Sequence, residues 1–386
     1  MSDRRVFITC GAGFVVSHVL KPLLDSDPST QLTLLLLADS QAEADNYLKN
    51  LLFSADIPRR DHHRVCAIYG DLRKHHLGIN DLHLINSNYW LNGTLPFKFG
   101  HIRQQSVDAA DQTISNYLGL LNAYNATIER VEHYLQLSSI RVSGQSPERL
   151  PESLVYDHET YGNFDYCKHR VEIRLKAWLG SHAPSIKFSL VRIGSLLSPR
   201  VSRIGGGVLL LTKELLGFGR CAGGPRWLVG DSDAVLRISS AEYVGKALAD
   251  LLTSPPGEIS RIVNLCDGSN RLTVRDYLAI ISRLRAECNA DMEPTSISLV
   301  STRSDIKGRE ATYCEWLDDK FGWLLARRCT IMPPQTSNAE TLLGSPLMIG
   351  HPEASGSSTL LDETLSAATK KHFIPTAPNV GAAPIY

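Results

Sequence analysis

Short apolar runs alternate along this chain with longer stretches whose apolar positions recur at helical spacing. The first run, Val6 to Ile8, leads into a glycine turn and a periodic segment through Leu20, an order that predicts strand, loop and helix. QLTLLLLADS (31–40) is a continuous apolar run too short for a spanning helix and predicts a buried strand; VCAIYGDL (65–72) predicts another, closing at Gly70-Asp71. TLPFKFG (94–100) is a further apolar stretch ahead of a long helical segment through Asn116 and Ala126. HYLQLSSIRVSG (133–144) predicts the next strand, residues 163–179 a helix, and KFSLVRIGSLLS (187–198) a sixth core strand.

Strands alternating with helices predict an α/β fold, a doubly wound, Rossmann-like parallel sheet built from residues 1–200. Beyond about Gly194 the pattern changes. RIGGGVLLLTKELLGFG (203–219) contains an amphipathic helix, and residues 240–252 and 273–287 read as helices opened by Ser240 and Thr273 as caps. Residues 200–330 are thus expected to form a smaller C-terminal substrate subdomain. Residues 330–358, rich in Pro, Ser and Gly, read as a loop or linker, and 359–386 as a closing helix and tail.

Composition narrows the function classes. Forty basic residues balance forty acidic ones over 386 positions, so nothing marks a nucleic-acid footprint, and a small or neutral ligand fits. Eight cysteines are scattered with no C-x-x-C pair, which predicts thiols in a reducing compartment and no metal site. The charged first residues run straight into a core strand, and no apolar run reaches the ~20 residues of a membrane span. The expected location is cytoplasmic. Asn92-Gly-Thr and Asn125-Ala-Thr match the glycosylation acceptor pattern, read here as chance matches.

Five signposts, VFIT-x-x-x-GF (6–14), GDL (70–72), SNYLG (115–119), LSSIRVSG (137–144) and NFDYCKHRVE (163–172), stand in an order and spacing similar to the extended short-chain dehydrogenase/reductases. They resemble most the thioester reductase domains of nonribosomal peptide and polyketide synthases, and LLDETLSAATKKHFIPTAP (360–378) resembles the closing helix of those domains. The resemblance implies that Thr9, Gly11, Gly13 and Phe14 line the dinucleotide turn. It implies that Asp71, with Leu72, meets the adenine, that Gly100 lets the backbone approach the cofactor, and that Asn116 braces the central helix. Ser139 and Lys168 would belong to the catalytic set, Lys168 also touching the cofactor.

Three departures qualify that implication. With Gly13 in the middle place of the G-x-x-G-x-x-G pattern, the outer places fall on Cys10 and Val16, where Cβ atoms oppose the tight turn and close helix packing; Gly11 next door offers a shifted turn. Binding of NAD(P)H is therefore expected to be weakened or lost. At the end of the second strand Ala38 and Asp39 stand where an arginine would meet a 2′-phosphate, and Asp39 suits a free 2′-hydroxyl. Finally, the family places Tyr and Lys four residues apart on one helix face, but four residues before Lys168 stands Phe164. Phenylalanine has no proton to give. Tyr166 lies about 200° round the helix from Lys168, and Tyr161 is seven residues away. His101, Cys10 and Cys167 are the remaining reactive side chains expected nearby; the histidine reads as a loop residue and the cysteines as apolar fillers.

Three functions stay open at this point. One is an NAD(P)H-dependent reductase of an acyl thioester on a carrier protein, or of the derived aldehyde. Another is a redox-inactive Dieckmann-type cyclase of a tethered acyl or peptidyl thioester, with Ser139 and Lys168 stabilising an enolate. The third is a non-catalytic scaffold relative.

Overall fold

The computed structural model describes residues 4–302 apart from 10–12, 94–102, 130, 144–149, 155–162, 183–185, 199–206, 218–223, 254–260, 267–271 and 289–296; beyond them it describes Ile306, residues 311–314, Leu317 and residues 365–366. Its centre is a seven-stranded sheet in which every paired strand runs parallel. The strands are β1 (Arg5–Thr9), β2 (Gln31–Leu37), β3 (Val65–Gly70), β4 (Tyr89–Asn92), β5 (His133–Ser139) and β6 (Lys187–Ile193), followed after three short strands by β10 (Arg261–Leu265). Their order across the sheet is β10-β6-β5-β4-β1-β2-β3. The chain winds outward from β1 on one side and from β4 on the other, so the crevice beyond the carboxyl ends of these two strands is the switch point where such sheets bind ligands.

Alternation along each strand sorts the side chains onto two faces. Val6 and Ile8 join Leu32, Leu34 and Leu36 against helices α1 (Phe14–Ser26), α2 (Gln41–Ser54) and α6 (Ala241–Thr253). Phe7, Leu35 and Trp90 turn the other way, toward α3 (Arg103–Thr127) and α4 (Asn163–His182). Continuous burial on both faces explains why β2 reads as an unbroken leucine run. A separate core joins α5 (Gly207–Leu215) and α7 (Val274–Cys288). Two-stranded pairs flank it: β7 (Ser195–Leu197) with β9 (Ile238–Ser240), and β8 (Trp227–Val229) with β11 (Ser298–Val300).

Several boundaries differ from the sequence reading for local reasons. The strand expected over 31–40 stops at Leu37, because Ser40 leaves it to cap α2 by accepting from the Glu43 N–H. The strand expected over 133–144 stops at Ser139 and gives way to a 3₁₀ turn over residues 140–143. The run 187–198 is two strands broken at Gly194, where a Cβ would come within 2.9 Å of the Arg237 carbonyl oxygen. Strand β4, only four residues long, is not among the expected elements; Trp90 within it is fully buried. Because β10 forms one edge, the parallel sheet is not confined to the first 200 residues. The helices read over 240–252 and 273–287 are α6 and α7, and both carry their caps: Ser240 Oγ accepts from the Tyr243 N–H at 3.3 Å, and Thr273 and Asp276 bond reciprocally at 2.9 and 3.2 Å.

Among the described residues no helix is long and apolar enough to cross a membrane. The apolar stretch 94–100 and the expected linker over 330–358 lie outside the described residues, as does most of the C-terminal tail.

Candidate active site

The dinucleotide end is built from β1, α1 and the loops that follow β2 and β3. Thr9, fully buried, donates its hydroxyl to Asn92 Oδ1 across the β1–β4 junction. Asn92 in turn donates to Gln136 Oε1 at 2.9 Å, so the floor of the crevice is polar and internally bonded. With Asn92 buried in the sheet, its acceptor-like tripeptide is a coincidence of sequence. Gly13 opens α1 in an extended conformation (φ −73°, ψ 152°) with no capping side chain and no acid in the first turn. An uncapped helix start without a carboxylate suits an anion such as a pyrophosphate. Phe14, nearly buried, follows it and packs edge-on to His18 at 4.8 Å between centroids.

Val16, in the third glycine place, is 1% exposed and belongs to the core between sheet and helices. A close approach is seen between α1 and α6, where a Cβ on Gly245 would stand 2.1 Å from the His18 carbonyl oxygen. Gly70 meets a similar limit before Asp71, its Cβ position lying 2.6 Å from the Leu77 carbonyl oxygen. Gly11, Cys10, Gly100, His101 and Tyr161 fall outside the described residues.

Asp39 is exposed at the end of β2, its N–H bonded to Glu43 Oε2 at 2.8 Å. The hydrogen bond from Tyr47, and then that from Asp39, hold the Glu43 carboxyl below the usual range. Asp71 is clasped by Arg73, whose Nε and Nη2 reach its two oxygens at 2.9 and 2.8 Å, and those bonds lower its pKa. The residue implied to meet adenine therefore already holds a guanidinium. Leu72 is buried, and its carbonyl accepts from Asn116 Nδ2 at 2.9 Å. That bond ties α3 to the loop after β3.

The chemical end lies where β5 finishes beside α4. Ser139 is the last residue of β5 and is 8% exposed; its Oγ accepts from the Arg141 N–H at 3.2 Å. Lys168, 7% exposed, directs Nζ toward the Leu137 carbonyl at 3.4 Å. Phe164 stands one helical turn before it, with Nζ 5.8 Å from the ring centroid. Tyr166 points elsewhere: it packs against Val107, Ala110 and Cys167, at the α3 side of α4. Cys167 is 1% exposed in that apolar contact.

Four further residues complete this end, and the sequence reading did not select them. Arg141 lies over the Phe164 ring at 5.4 Å and bonds the buried Asp165 at 2.7 Å. Two turns along α4 from Phe164, Glu172 is fully buried, accepts from Ser138 Oγ and forms a bidentate pair with Arg192 of β6 at 3.0 and 2.7 Å. Arg192 also donates to the carbonyls of Pro151 and Ser153 at 2.9 and 3.1 Å. The knot links α4, β5, β6 and the segment at 151–153 through Ser138, the residue before Ser139. Its signal in the sequence was an arginine inside the apolar run KFSLVRI, because a buried charge demands a partner.

Residues 8–86 match an NAD-binding family model described as male sterility protein. The terminal R domain from the myxalamid PKS-NRPS biosynthetic pathway aligns over 98% of this chain and 93% of its own, with a TM-score of 0.73 at 16% identity. The chain has the Rossmann-like fold of that R domain. The reductase (R) domain of a non-ribosomal peptide synthetase from Mycobacterium tuberculosis shares this fold with a TM-score of 0.64 at 14% identity, covering 95% of this chain and 92% of that one. The UDP-glucose 4-epimerase of Thermus thermophilus, solved in complex with NAD, does so at 0.59 and 18%, covering 94% and 98%. No curated protein sequence matches the chain. The resemblance carried by the five signposts is supported by the family match and by both reductase-domain structures.

Proposed function

We propose that this chain is a dinucleotide-binding reductase of an acyl thioester presented by a carrier protein. The observation that carries the reading is that Lys168 of α4 directs Nζ at the Leu137 carbonyl of β5 at 3.4 Å, two residues before Ser139 ends that strand, with Phe164 one turn away on the same face of α4. The uncapped, acid-free start of α1 and the tie between Asn116 and Leu72 fit a dinucleotide. Such a cofactor, when bound, supplies the hydride. Asp39 just after β2 and Glu43 in the first turn of α2 would repel a 2′-phosphate bound at that end of the sheet, which supports NADH over NADPH. Ser139 and Lys168 hold the substrate carbonyl, and the polar floor from Thr9 to Gln136 fixes the strand ends beneath it.

A second reading is favoured by one observation, the missing hydroxyl at Phe164. A site that steadies negative charge at oxygen without donating a proton suits a Dieckmann-type ring closure of a tethered acyl or peptidyl thioester, in which a thiolate leaves. A scaffold role would use neither side chain. One experiment separates the three: titrate the purified chain with NADH and NADPH by nicotinamide fluorescence, then add a pantetheine-linked N-acetoacetyl-aminoacyl thioester, which can be reduced or can close a ring through its active methylene, and follow thiol release together with the ring or aldehyde product. Tighter NADH binding with NADH-dependent thiol release is the expected result. Thiol release without NADH would favour the cyclase, and neither signal would leave the scaffold.

A further inference from the structure

We propose that the turn after β3, residues 70–78, is a pH-sensitive latch: protonation of His75 and His76 drives their stacked rings apart and opens the turn that carries Asp71 and Leu72. Those two residues are the ones implied to meet an adenine, so the consequence for cofactor binding rests on the reading above, whereas the latch itself does not.

The turn closes tightly. Its backbone returns on itself where the Asp71 N–H bonds the Leu77 carbonyl at 2.8 Å, and a Cβ on Gly70 would stand 2.6 Å from that same oxygen. Three successive residues, His76 (φ 49°), Leu77 (φ 57°) and Gly78 (φ 77°), are left-handed, a conformation that residues other than glycine adopt rarely. Two attachments offset it: Leu77 is fully buried in the core with Phe7, Leu35 and Trp90, and Asn116 of α3 bonds the Leu72 carbonyl at 2.9 Å.

On this turn the His75 and His76 rings lie 3.7 Å apart between centroids, tilted by 32°. Both rest on α3 at Gly119, whose Cβ position is 3.7 Å from His76 Cδ2 and 4.0 Å from His75 Nε2. Neutral imidazoles stack at that distance; two imidazolium rings repel. The surrounding charges do not offset the repulsion. Arg73 and Lys74 precede the pair, and the only acid of the turn, Asp71, is bonded to Arg73. From Gln112 to Thr127, α3 carries no charged residue, and its phenols there, Tyr117 and Tyr124, are buried, which raises their pKa. Asp111, the last acid before that stretch, is held by Arg170 and Arg174. β3 brings a thiol, Cys66, and a phenol, Tyr69, and no acid, while Asp81 beyond the turn accepts from the His83 N–H at 3.0 Å. Burial, and then the charge of His75, accordingly lowers the pKa of His76. Closure is therefore favoured above about pH 6.5 and is lost as pH falls through and below that value.

The test is hydrogen exchange on the full chain without cofactor at pH 7.5, 6.5 and 5.5, read by mass spectrometry on the peptide spanning 70–79 and corrected for the intrinsic pH dependence of exchange. One proton taken up on opening shifts the opening equilibrium by up to about 10-fold per pH unit, so protection of this peptide relative to β1 is expected to fall at least about 5-fold between pH 7.5 and 5.5. Asparagine tolerates the left-handed conformation, so His76→Asn keeps the backbone, and His75→Gln removes the exposed partner. The double variant is expected to abolish the pH dependence, and His75→Gln alone to reduce it. Protection that is independent of pH in the parent, or a fall as large in His75→Gln or in the double variant as in the parent, overturns the proposal. NADH titration of the same samples separates this failure from the other. Acid opening in a chain that binds no NADH at any of the three pH values would keep the latch and sink the dinucleotide reading; NADH binding with a turn indifferent to pH would do the reverse. An NADH affinity that falls together with the protection is the expected result, and a constant affinity over an opening turn would refute the tie to the cofactor site.

Discussion

Replacing Arg192 by methionine should be the most destabilising single change near the site. Both partners of the Arg192–Glu172 pair are fully buried, and the arginine bonds the carboxylate through two nitrogens and the carbonyls of Pro151 and Ser153 besides. Methionine fills much of the volume but leaves Glu172 with Ser138 Oγ as its remaining described partner. Breaking a buried pair from one side costs about 3–5 kcal/mol. The freed carbonyls add less, because Ser153 is exposed and its backbone can turn to water. With a urea slope of about 3 kcal/mol/M, the unfolding midpoint should fall by roughly 1 to 1.7 M, read by far-UV circular dichroism. Glu172→Leu combined with Arg192→Met should recover most of that loss, since an apolar pair of similar volume needs no compensation. A single-variant shift below about 0.3 M would show that water reaches the pair and that the knot does not support the site.

Gly245→Ala should lower stability by about 3 kcal/mol, at the upper end of overpacking costs, because the new methyl meets the His18 carbonyl oxygen at 2.1 Å; a melting temperature equal to the parent's would refute the tight α1–α6 contact. Burial, only partly offset by the bond to the Leu252 carbonyl, lowers the pKa of His133, so the folded state resists its protonation. Stability from this group is full above about pH 6.5 and is lost as pH falls through and below that value, with a slope of up to about 1.4 kcal/mol per pH unit. Urea titrations at pH 7.5 and 5.5 should show the loss in the parent and a smaller one in His133→Gln. Phe164→Tyr should raise NADH consumption with a test aldehyde by roughly 10²- to 10⁴-fold, the usual contribution of a placed acid. An unchanged rate in a variant that binds NADH would show that the hydroxyl does not reach the substrate.

How much of this was legible in the sequence depended on whether a feature was local. Apolar runs fixed by burial on two faces, such as the leucines of β2, announce themselves, and so do caps such as Thr273 with Asp276. Spacing along one helix was also legible: Phe164 and Lys168 share a face because they are four residues apart, and Tyr166 leaves it for the same reason. What could not be read were partners far apart in sequence. Nothing near Asn116 says that it would bond the Leu72 carbonyl, and β4 is too short to show a period. Glu172 and Arg192 each stand out as charges in apolar surroundings, yet only the fold pairs them.

Those long-range partners change the meaning of the departures seen in the sequence. Val16 fills the core, and α1 makes its close contact with α6 at Gly245. Restoring glycine at 16 would therefore remove a buried side chain worth about 1.5–3 kcal/mol and repair no contact that α1 lacks. Phe164 differs in kind. Around it the charged groups are arranged, bonded and buried, with Arg141 held by Asp165 and Ser139, and Lys168 directed at a strand carbonyl. A tyrosine at this position would add a proton donor one helical turn from Lys168 and phenylalanine adds none, so within the proposed reductase reading the identity of residue 164 decides whether an acid of α4 can meet the charge that develops at the substrate oxygen.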